Sequence, residues 1–252
     1  MPIFFKNNKK SLIAMGSCLL FIVCLVIANF IASSLIATGK NVSEVKSSAY
    51  DLYMISLAKS QVKSEAISLS ADYQKIGAGG YIWEQEGYFH VISSAYSNKN
   101  DAILVQNSVK AKGIESCLIN VHFDSYTING NFTDSEAKVL TKALNCFQNY
   151  YHSLYDIAIS YDTSVYNEIS ARLAVNNAHS TLSSLLADFE TIFADDCTAT
   201  PLKDLHTALN DALSASKDLC SGVPVNAGQT YSSLIKYHYL KILEIYLNLT
   251  TK

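Results

Sequence analysis

The sequence predicts an α+β protein in three parts: an N-terminal transmembrane helix, a βαββαβ domain and an all-α bundle of three or four helices. Three observations support this fold class. No charged residue occurs between Leu12 and Ile36. Strand-like and helix-like patterns alternate between Asp51 and Phe123. From Thr133 onward, the apolar residues recur with the period of a helix.

The composition favours a membrane segment or an unusually apolar surface. The chain has 252 residues and a formal net charge of -3, with 49% hydrophobic and 16% charged residues. An average soluble domain has ~25% charged residues. Arg172 is the only arginine in the sequence. Because arginine dominates the recognition of bases and phosphates, we expect no nucleic-acid partner.

The uncharged run near the N-terminus predicts a membrane anchor. It is longer than the ~20 residues that span a bilayer core and than the ~7–15 apolar residues of a cleavable signal peptide. We therefore assign residues 11–38 to an uncleaved signal anchor of a single-pass cell-membrane protein. Lysines favour the cytoplasmic side of a membrane, and Lys6, Lys9 and Lys10 precede the run. The N-terminus is thus predicted to be cytoplasmic and the remainder extracytoplasmic.

The pattern shifts divide the chain into five segments. The predicted layout is a cytoplasmic tail at 1–10, the anchor at 11–38, a polar linker at 39–50, the mixed α/β domain at 51–128 and the helical domain at 133–252.

The mixed segment has six predicted elements in the order βαββαβ. Glycines follow both of its helices and suit their C-terminal caps. The strands are predicted at Leu52–Leu57, Gly80–Trp83, Phe89–Ser93 and Cys117–Phe123, and the helices at Ser64–Ile76 and Lys99–Lys112.

An internal repeat supports this order. When the first half is shifted onto the second without a gap, Tyr53 falls on Phe89 and Gly77 falls on Gly113. Two βαβ units in tandem are typical of a ferredoxin-like fold. Such a fold has helices on one face of an antiparallel sheet and leaves the other face open.

Side-chain alternation along the strands assigns the two faces. The face toward the helices is predicted to hold Tyr53, Ile55, Leu57, Phe89, Val91 and Ser93. The open face is predicted to hold Met54, Ser56, Ala58, His90, Ile92 and Ser94. In the last strand either Cys117, Ile119 and Val121 or Leu118, Asn120 and His122 point inward, and the first set is favoured because it is more apolar. Trp83 is either a core residue or an aromatic platform.

The C-terminal segment is predicted to be a helical bundle. Thr133 and Glu136 form a capping box, and the apolar residues that follow are spaced alternately by three and four. Further helices are predicted at Ser164–Phe193, from Thr200 to about Leu219, and at Tyr231–Leu249. The last of these is apolar on most sides, which favours a role in binding another envelope protein or in self-association.

No catalytic or metal-binding motif is present. The sequence lacks a nucleophile elbow, a P-loop, a dinucleotide fingerprint and an H-E-x-x-H pair. The cysteines beyond the anchor are not spaced as a zinc or redox motif. We therefore expect neither an enzyme nor a cofactor nor a bound metal.

Short motifs in residues 51–123 resemble the SPOR (sporulation-related repeat) domain family. The similarity lies in the first strand, in the two helix openings Lys63–Ala66 and Lys99–Ala102, and in the strands around Gly79–Trp83 and Tyr88–Tyr96. The resemblance implies a non-catalytic protein that binds peptidoglycan glycan strands, especially strands stripped of stem peptides, at sites of cell division or sporulation.

The resemblance also implies that the open sheet face contacts the sugar. The implied glycan-binding residues are Met54, Ser56, His90, Ile92, Ser94 and Trp83. Ser56 stands where the family commonly has glutamine, and His90 or Ile92 where it has arginine. These differences leave a second hypothesis, in which the SPOR-like part is a structural module without sugar binding and the helical domain mediates protein–protein interaction.

Overall fold

The computed structural model describes residues 42–193 and 200–251. The predicted tail and anchor, at 1–10 and 11–38, lie outside these ranges. Six strands and six helices occur in the described part. The strands are β1 (Val42–Lys46), β2 (Tyr50–Ser60), β3 (Tyr81–Gln85), β4 (Tyr88–Tyr96), β5 (Cys117–Phe123) and β6 (Thr127–Phe132), and the helices are α1 (Lys63–Lys75), α2 (Lys99–Ala111), α3 (Asp134–Asp162), α4 (Glu168–Phe193), α5 (Thr200–Ser221) and α6 (Tyr231–Thr250).

The larger sheet has four antiparallel strands in the order β3-β4-β2-β5. Helices α1 and α2 are the two crossovers and pack on one of its faces. There, Ile55 and Leu57 of β2 form a small core with Ala102 of α2, while Tyr73 of α1 packs against it. Tyr53, predicted for this face, packs here as well.

A second, two-stranded sheet pairs β1 with β6, from Val42 opposite Phe132 to Lys46 opposite Thr127. Val45, Ile128 and Phe132 bury their side chains in the core of the helical part. The predicted linker at 39–50 therefore contains a strand. Its sequence alternates only weakly, so the strand depends on pairing with a distant segment rather than on a local pattern.

Helices α3 to α6 form the bundle. The capping box is present: the Thr133 hydroxyl accepts from the Glu136 amide at 3.3 Å, and the Glu136 carboxylate accepts from the Thr133 amide at 2.6 Å. The inward stripes of the helices are apolar, as the three-and-four spacing predicts. Adjacent helices pack in the order α3, α4, α5 and α6, and α6 returns to α3.

The bundle also covers the sheet face that lies opposite α1 and α2. Leu52 and Met54 of β2 share one continuous core with Phe147 of α3 and Tyr239 of α6. The Tyr151 hydroxyl donates to the main-chain oxygen of Ala95 at 2.9 Å. The predicted open face is therefore closed over most of its area.

These observations correct the predicted fold class, which consisted of a transmembrane helix, a βαββαβ domain with one open sheet face, and a helical bundle. The described residues form an α+β structure with six helices and two sheets, in which the sheet and the bundle share a core. Among residues 42–193 and 200–251, no helix is both long and apolar enough to cross a membrane.

Two irregularities shift the side-chain alternation where β2 pairs with β4. The register passes from Ile55 opposite Ser94 to Ser56 opposite Ile92, and then to Ala58 opposite Val91. Ser93 and Leu57 are therefore the extra residues of two β-bulges. Beyond each bulge, the residues of that strand point to the opposite face from the one that strict alternation predicts.

The favoured inward set of β5 faces the bundle instead of α1 and α2. Ile119 and Val121 belong to the core that the bundle completes, and Leu118 packs on the opposite side. Its apolar character predicts that this set faces α1 and α2, if that side of the sheet holds the main core. In the structure the larger core lies on the bundle side.

Candidate functional site

The six residues predicted to contact glycan occupy very different environments. Met54 and Ile92 are fully buried, and Trp83 is 3% exposed, in the core that the bundle completes. Ser94 lies on the opposite side, because the Ser93 bulge shifts it, and its hydroxyl donates to that of Tyr96 at 3.0 Å. That these residues contact glycan remains a prediction. Because Met54, Ile92 and Trp83 are buried, a ligand can reach this face directly only at the end of the sheet that carries His90.

This end of the sheet extends beyond the cover of the bundle. Lys59 of β2 lies opposite His90 of β4, and Ser56 lies opposite Ile92 on the same face. Lys59 is exposed, and Tyr88 and His90 are half-buried. We call Ser56, Lys59, Tyr88 and His90 the polar end of the sheet.

A hydrogen-bond chain orients the His90 ring. The Ser56 hydroxyl donates to the main-chain oxygen of Ala58 at 2.9 Å and lies 3.2 Å from Nδ1 of His90. Because the single hydroxyl proton of Ser56 is used toward Ala58, the His90 Nδ1–H is assigned as the donor to Ser56. Nε2 of His90 then carries a lone pair that can accept a hydrogen bond.

A cation and an aromatic ring complete the polar end. The Nζ atom of Lys59 lies 4.9 Å from the centroid of the Tyr88 ring, which is a cation–π contact. The Tyr88 and His90 ring centroids are 6.4 Å apart. Burial lowers the pKa of His90, and the Lys59 ammonium lowers it further against the opposing effect of Glu86. The lowered pKa favours the uncharged imidazole.

The arrangement offers binding chemistry rather than a nucleophile. Ser56 is 1% exposed, and its proton is directed to a main-chain carbonyl instead of to His90. An activated serine requires the reverse, with the hydroxyl donating to the base. Within the described ranges, no group of three His, Cys, Asp or Glu side chains is placed to hold a metal ion.

Alternation alone could not place Lys59. Strict alternation puts Lys59 on the same face as Leu57, toward α1 and α2. The bulge at Leu57 moves Lys59 to the face of His90. Tyr88, in contrast, is two residues before His90 in one strand, so the same alternation that selected His90 would have found it.

The chain has little similarity to known proteins. No family model and no curated protein matches it. Among solved structures, the solution structure of the peptidoglycan binding domain of the B. subtilis cell wall lytic enzyme CwlC matches 30% of this chain and 95% of that chain, at 24% sequence identity and a TM-score of 0.26. The chain is thus weakly similar, over part of its length, to a peptidoglycan-binding domain.

Proposed function

We propose that this protein is a non-catalytic peptidoglycan-binding protein that acts outside the cytoplasm and holds glycan at the polar end of its sheet. One observation carries the proposal. The part of the predicted sugar-binding face that the bundle leaves accessible combines an aromatic ring, an ammonium group and an imidazole acceptor, on Tyr88, Lys59 and His90.

These groups match the chemistry of an amino-sugar chain. A pyranose ring presents an apolar C–H surface that packs on an aromatic face. Its hydroxyl and acetamido groups donate to an acceptor such as Nε2 of His90 and accept from an ammonium such as that of Lys59. The SPOR resemblance further implies that the protein acts at sites of cell division or sporulation.

Sedimentation with purified peptidoglycan tests the proposal. We expect the full chain to pellet with peptidoglycan, and the exchange Tyr88→Ala together with His90→Ala to weaken binding by roughly tenfold, the equivalent of ~1.4 kcal/mol. His152→Ala, on the half-buried His152 of α3, is the matched control and should bind normally. A wild-type chain that stays in the supernatant refutes the function, and a double variant that binds like wild type refutes the site.

A second candidate function is protein–protein interaction through the bundle. The outward side of α4 begins with an exposed apolar stripe, on which Ile169 is 80% and Leu173 is 61% exposed, and Val165 just before the helix is 71% exposed. Ala171 and Val175 on the opposite side are buried. Self-association would appear as a concentration-dependent sedimentation coefficient of the full chain that Ile169→Ser and Leu173→Ser abolish.

A further inference from the structure

An open groove of about 1080 Å³ lies beside the polar end. One wall is the last part of β2, from Ser56 to Lys59, and the other is the segment 113–117 that leads into β5. Tyr73 of α1 and Lys110 of α2 also line the groove. Ser56 and Lys59 belong both to this groove and to the polar end, so the two sites are contiguous.

The main chain along the β2 wall of the groove already has hydrogen-bond partners. The Tyr73 hydroxyl donates to the main-chain oxygen of Leu57 at 3.4 Å, and the Ser56 hydroxyl donates to that of Ala58 at 2.9 Å. A ligand in this groove is therefore bound by side chains and not as an added strand.

The free side chains of the groove are mostly hydrogen-bond donors. Lys59 and Lys110 are exposed, and neither forms an ion pair within residues 42–193 and 200–251. The hydroxyl oxygen of Ser116 is enclosed and has no hydrogen-bond partner among the described residues, so a ligand can supply one. Glu115 is the opposing charge, and two lysines with one glutamate give the lining a net charge of +1. The groove therefore suits a ligand that carries a small anion.

A glycan strand can supply such an anion beside its sugar rings. Each muramic acid carries a lactyl group, and an amide bond joins the carboxyl carbon of this group to the stem peptide. In that form the lactyl group is uncharged. When an amidase hydrolyses the bond, the lactyl group keeps a free carboxylate. A carboxylate accepts charge-assisted hydrogen bonds from ammonium groups and a further one from a hydroxyl.

We infer that the groove binds the lactyl carboxylate of a muramic acid whose stem peptide has been removed, through Lys59, Lys110 and Ser116. The inference rests on the proposed function, because a sugar held at the polar end brings the next sugar of the strand to the adjoining groove. The SPOR resemblance implies sugar contacts on the sheet face, whereas Lys110 belongs to α2 and Ser116 to the segment before β5. The groove is thus a second subsite, which selects stripped strands by their charge.

A matched pair of glycan samples tests this inference. Both consist of stripped strands immobilised on beads, and in one of them the lactyl carboxylates have been converted to carboxamides. We expect the full chain to bind the carboxylate sample roughly tenfold more tightly, because one charge-assisted hydrogen bond contributes about this much. Added salt should reduce the difference, since it screens exposed charges.

Substitutions of Lys110 locate the contact. Lys110→Gln should reduce the preference for the carboxylate sample to roughly threefold, because one of the two ammonium groups remains. Lys110→Arg keeps the charge and should retain the preference. Lys217→Gln, at an exposed lysine of α5, is the matched control and should bind both samples like wild type.

Intact peptidoglycan separates the lactyl carboxylate from the carboxylates of the stem peptide. Its lactyl groups are amides, but its peptides carry acidic groups. We expect Lys110→Gln to leave binding to the intact sample unchanged. A loss there as large as the loss on the stripped sample would identify peptide carboxylates as the ligand of Lys110 and overturn the inference.

The outcomes separate the inference from the proposed function. Equal binding of wild type to the carboxylate and carboxamide samples refutes lactyl recognition and retains glycan binding. Failure to bind any of the samples refutes the proposed function. A preference for the carboxylate sample that Lys110→Gln does not alter refutes this groove as the site.

Discussion

The two faces of the four-stranded sheet are built very differently. Toward α1 and α2 the buried cluster is small and consists of Ile55, Leu57, Ala78, Tyr96 and Ala102. Toward the bundle, aromatic rings stack in sequence: Tyr50 on Phe123 with centroids 4.9 Å apart, and Phe147 on Tyr246 at 5.2 Å. The face expected to be open therefore holds the larger core.

This difference shows how the helical part restricts function. Aromatic side chains bury large apolar areas and contribute strongly to core stability. Displacing the bundle to expose the sheet would return all of this area to water. Binding is thereby confined to the end of the sheet, where the side chains change from Met54 and Ile92 to the polar Lys59 and His90.

The largest expected effect comes from a matched pair of leucines on one strand. Leu52 is 1% exposed on the bundle side of β2, and Leu57 is 6% exposed on the other side. We expect Leu52→Ala to lower the free energy of unfolding by about 4 kcal/mol and Leu57→Ala by about 3 kcal/mol. Leu57 borders two open grooves, so its vacated volume is partly open to solvent, whereas that of Leu52 remains an enclosed cavity.

Chemical denaturation of the two variants measures this difference. The dependence of the unfolding free energy on denaturant concentration should be the same in both variants, because the area exposed on unfolding hardly changes. An equal or larger loss for Leu57→Ala would contradict the ranking of the two faces.

Local sequence rules are sufficient for elements whose pattern is self-contained. The strand at Cys117–Phe123 has the predicted bounds, because its alternation is regular. The helix after Thr133 begins at Asp134, because its capping box is a local device. The pairing of β1 with β6 joins segments far apart in the chain, and no local pattern encodes it.

The candidate site was predictable only in part, for two physical reasons. Alternation correctly separates Met54 and Ile92 from Ile55, but it cannot tell which face a later segment will cover. The nearly all-round apolar helix at Tyr231–Leu249 was the available signal that such a cover exists. The bulges at Leu57 and Ser93 move Lys59 and Ser94 to the other face, and alternation in the sequence does not locate a bulge.

The next effect concerns a histidine inside the bundle that covers the sheet. Burial and, to a smaller extent, the Lys241 ammonium lower the pKa of His238 to about 4, against the opposing effects of Asp218 and of a main-chain hydrogen bond with Ala215. In the unfolded chain this pKa is about 6.5. Between these two pH values the unfolded chain binds the proton and the native protein does not. The free energy of unfolding should therefore fall as the pH falls from about 6.5 to about 4, by roughly 3 kcal/mol in total.

The matched variant is His238→Gln, measured beside wild type across the same pH range. Carboxyl groups titrate equally in both proteins, so the difference between the two curves isolates His238. We expect the difference to be constant above pH ~7. Below that pH, wild type should lose stability relative to His238→Gln. Parallel curves from pH 7 to 4 would show that His238 is not held neutral in the native bundle.

The smallest effect tests a contact that ties the α1 side of the sheet to the bundle. Gln74 of α1 is fully buried, and its side-chain oxygen accepts from the Asn226 amide at 2.7 Å. Asn226 lies in the loop between α5 and α6, and the amide of Thr230 in that loop donates to the main-chain oxygen of Gln74 at 3.4 Å. The contact therefore couples the helices of one face to the cover of the other.

Asn226→Ala removes one partner and leaves the enclosed Gln74 oxygen without its donor. A buried acceptor that loses its partner costs about 1–3 kcal/mol, and because the loop is accessible to water we expect about 1 kcal/mol. Asn210→Ala is the matched control: its amide donates to the His206 carbonyl at 3.0 Å on an exposed helix surface, and its loss should cost less than about 0.5 kcal/mol. If both variants lose the same stability by denaturant titration, the loop does not couple the two faces. If only Asn226→Ala is destabilised and residues 74–80 also exchange their amide hydrogens faster, the α1 side of the sheet depends on the bundle for its order.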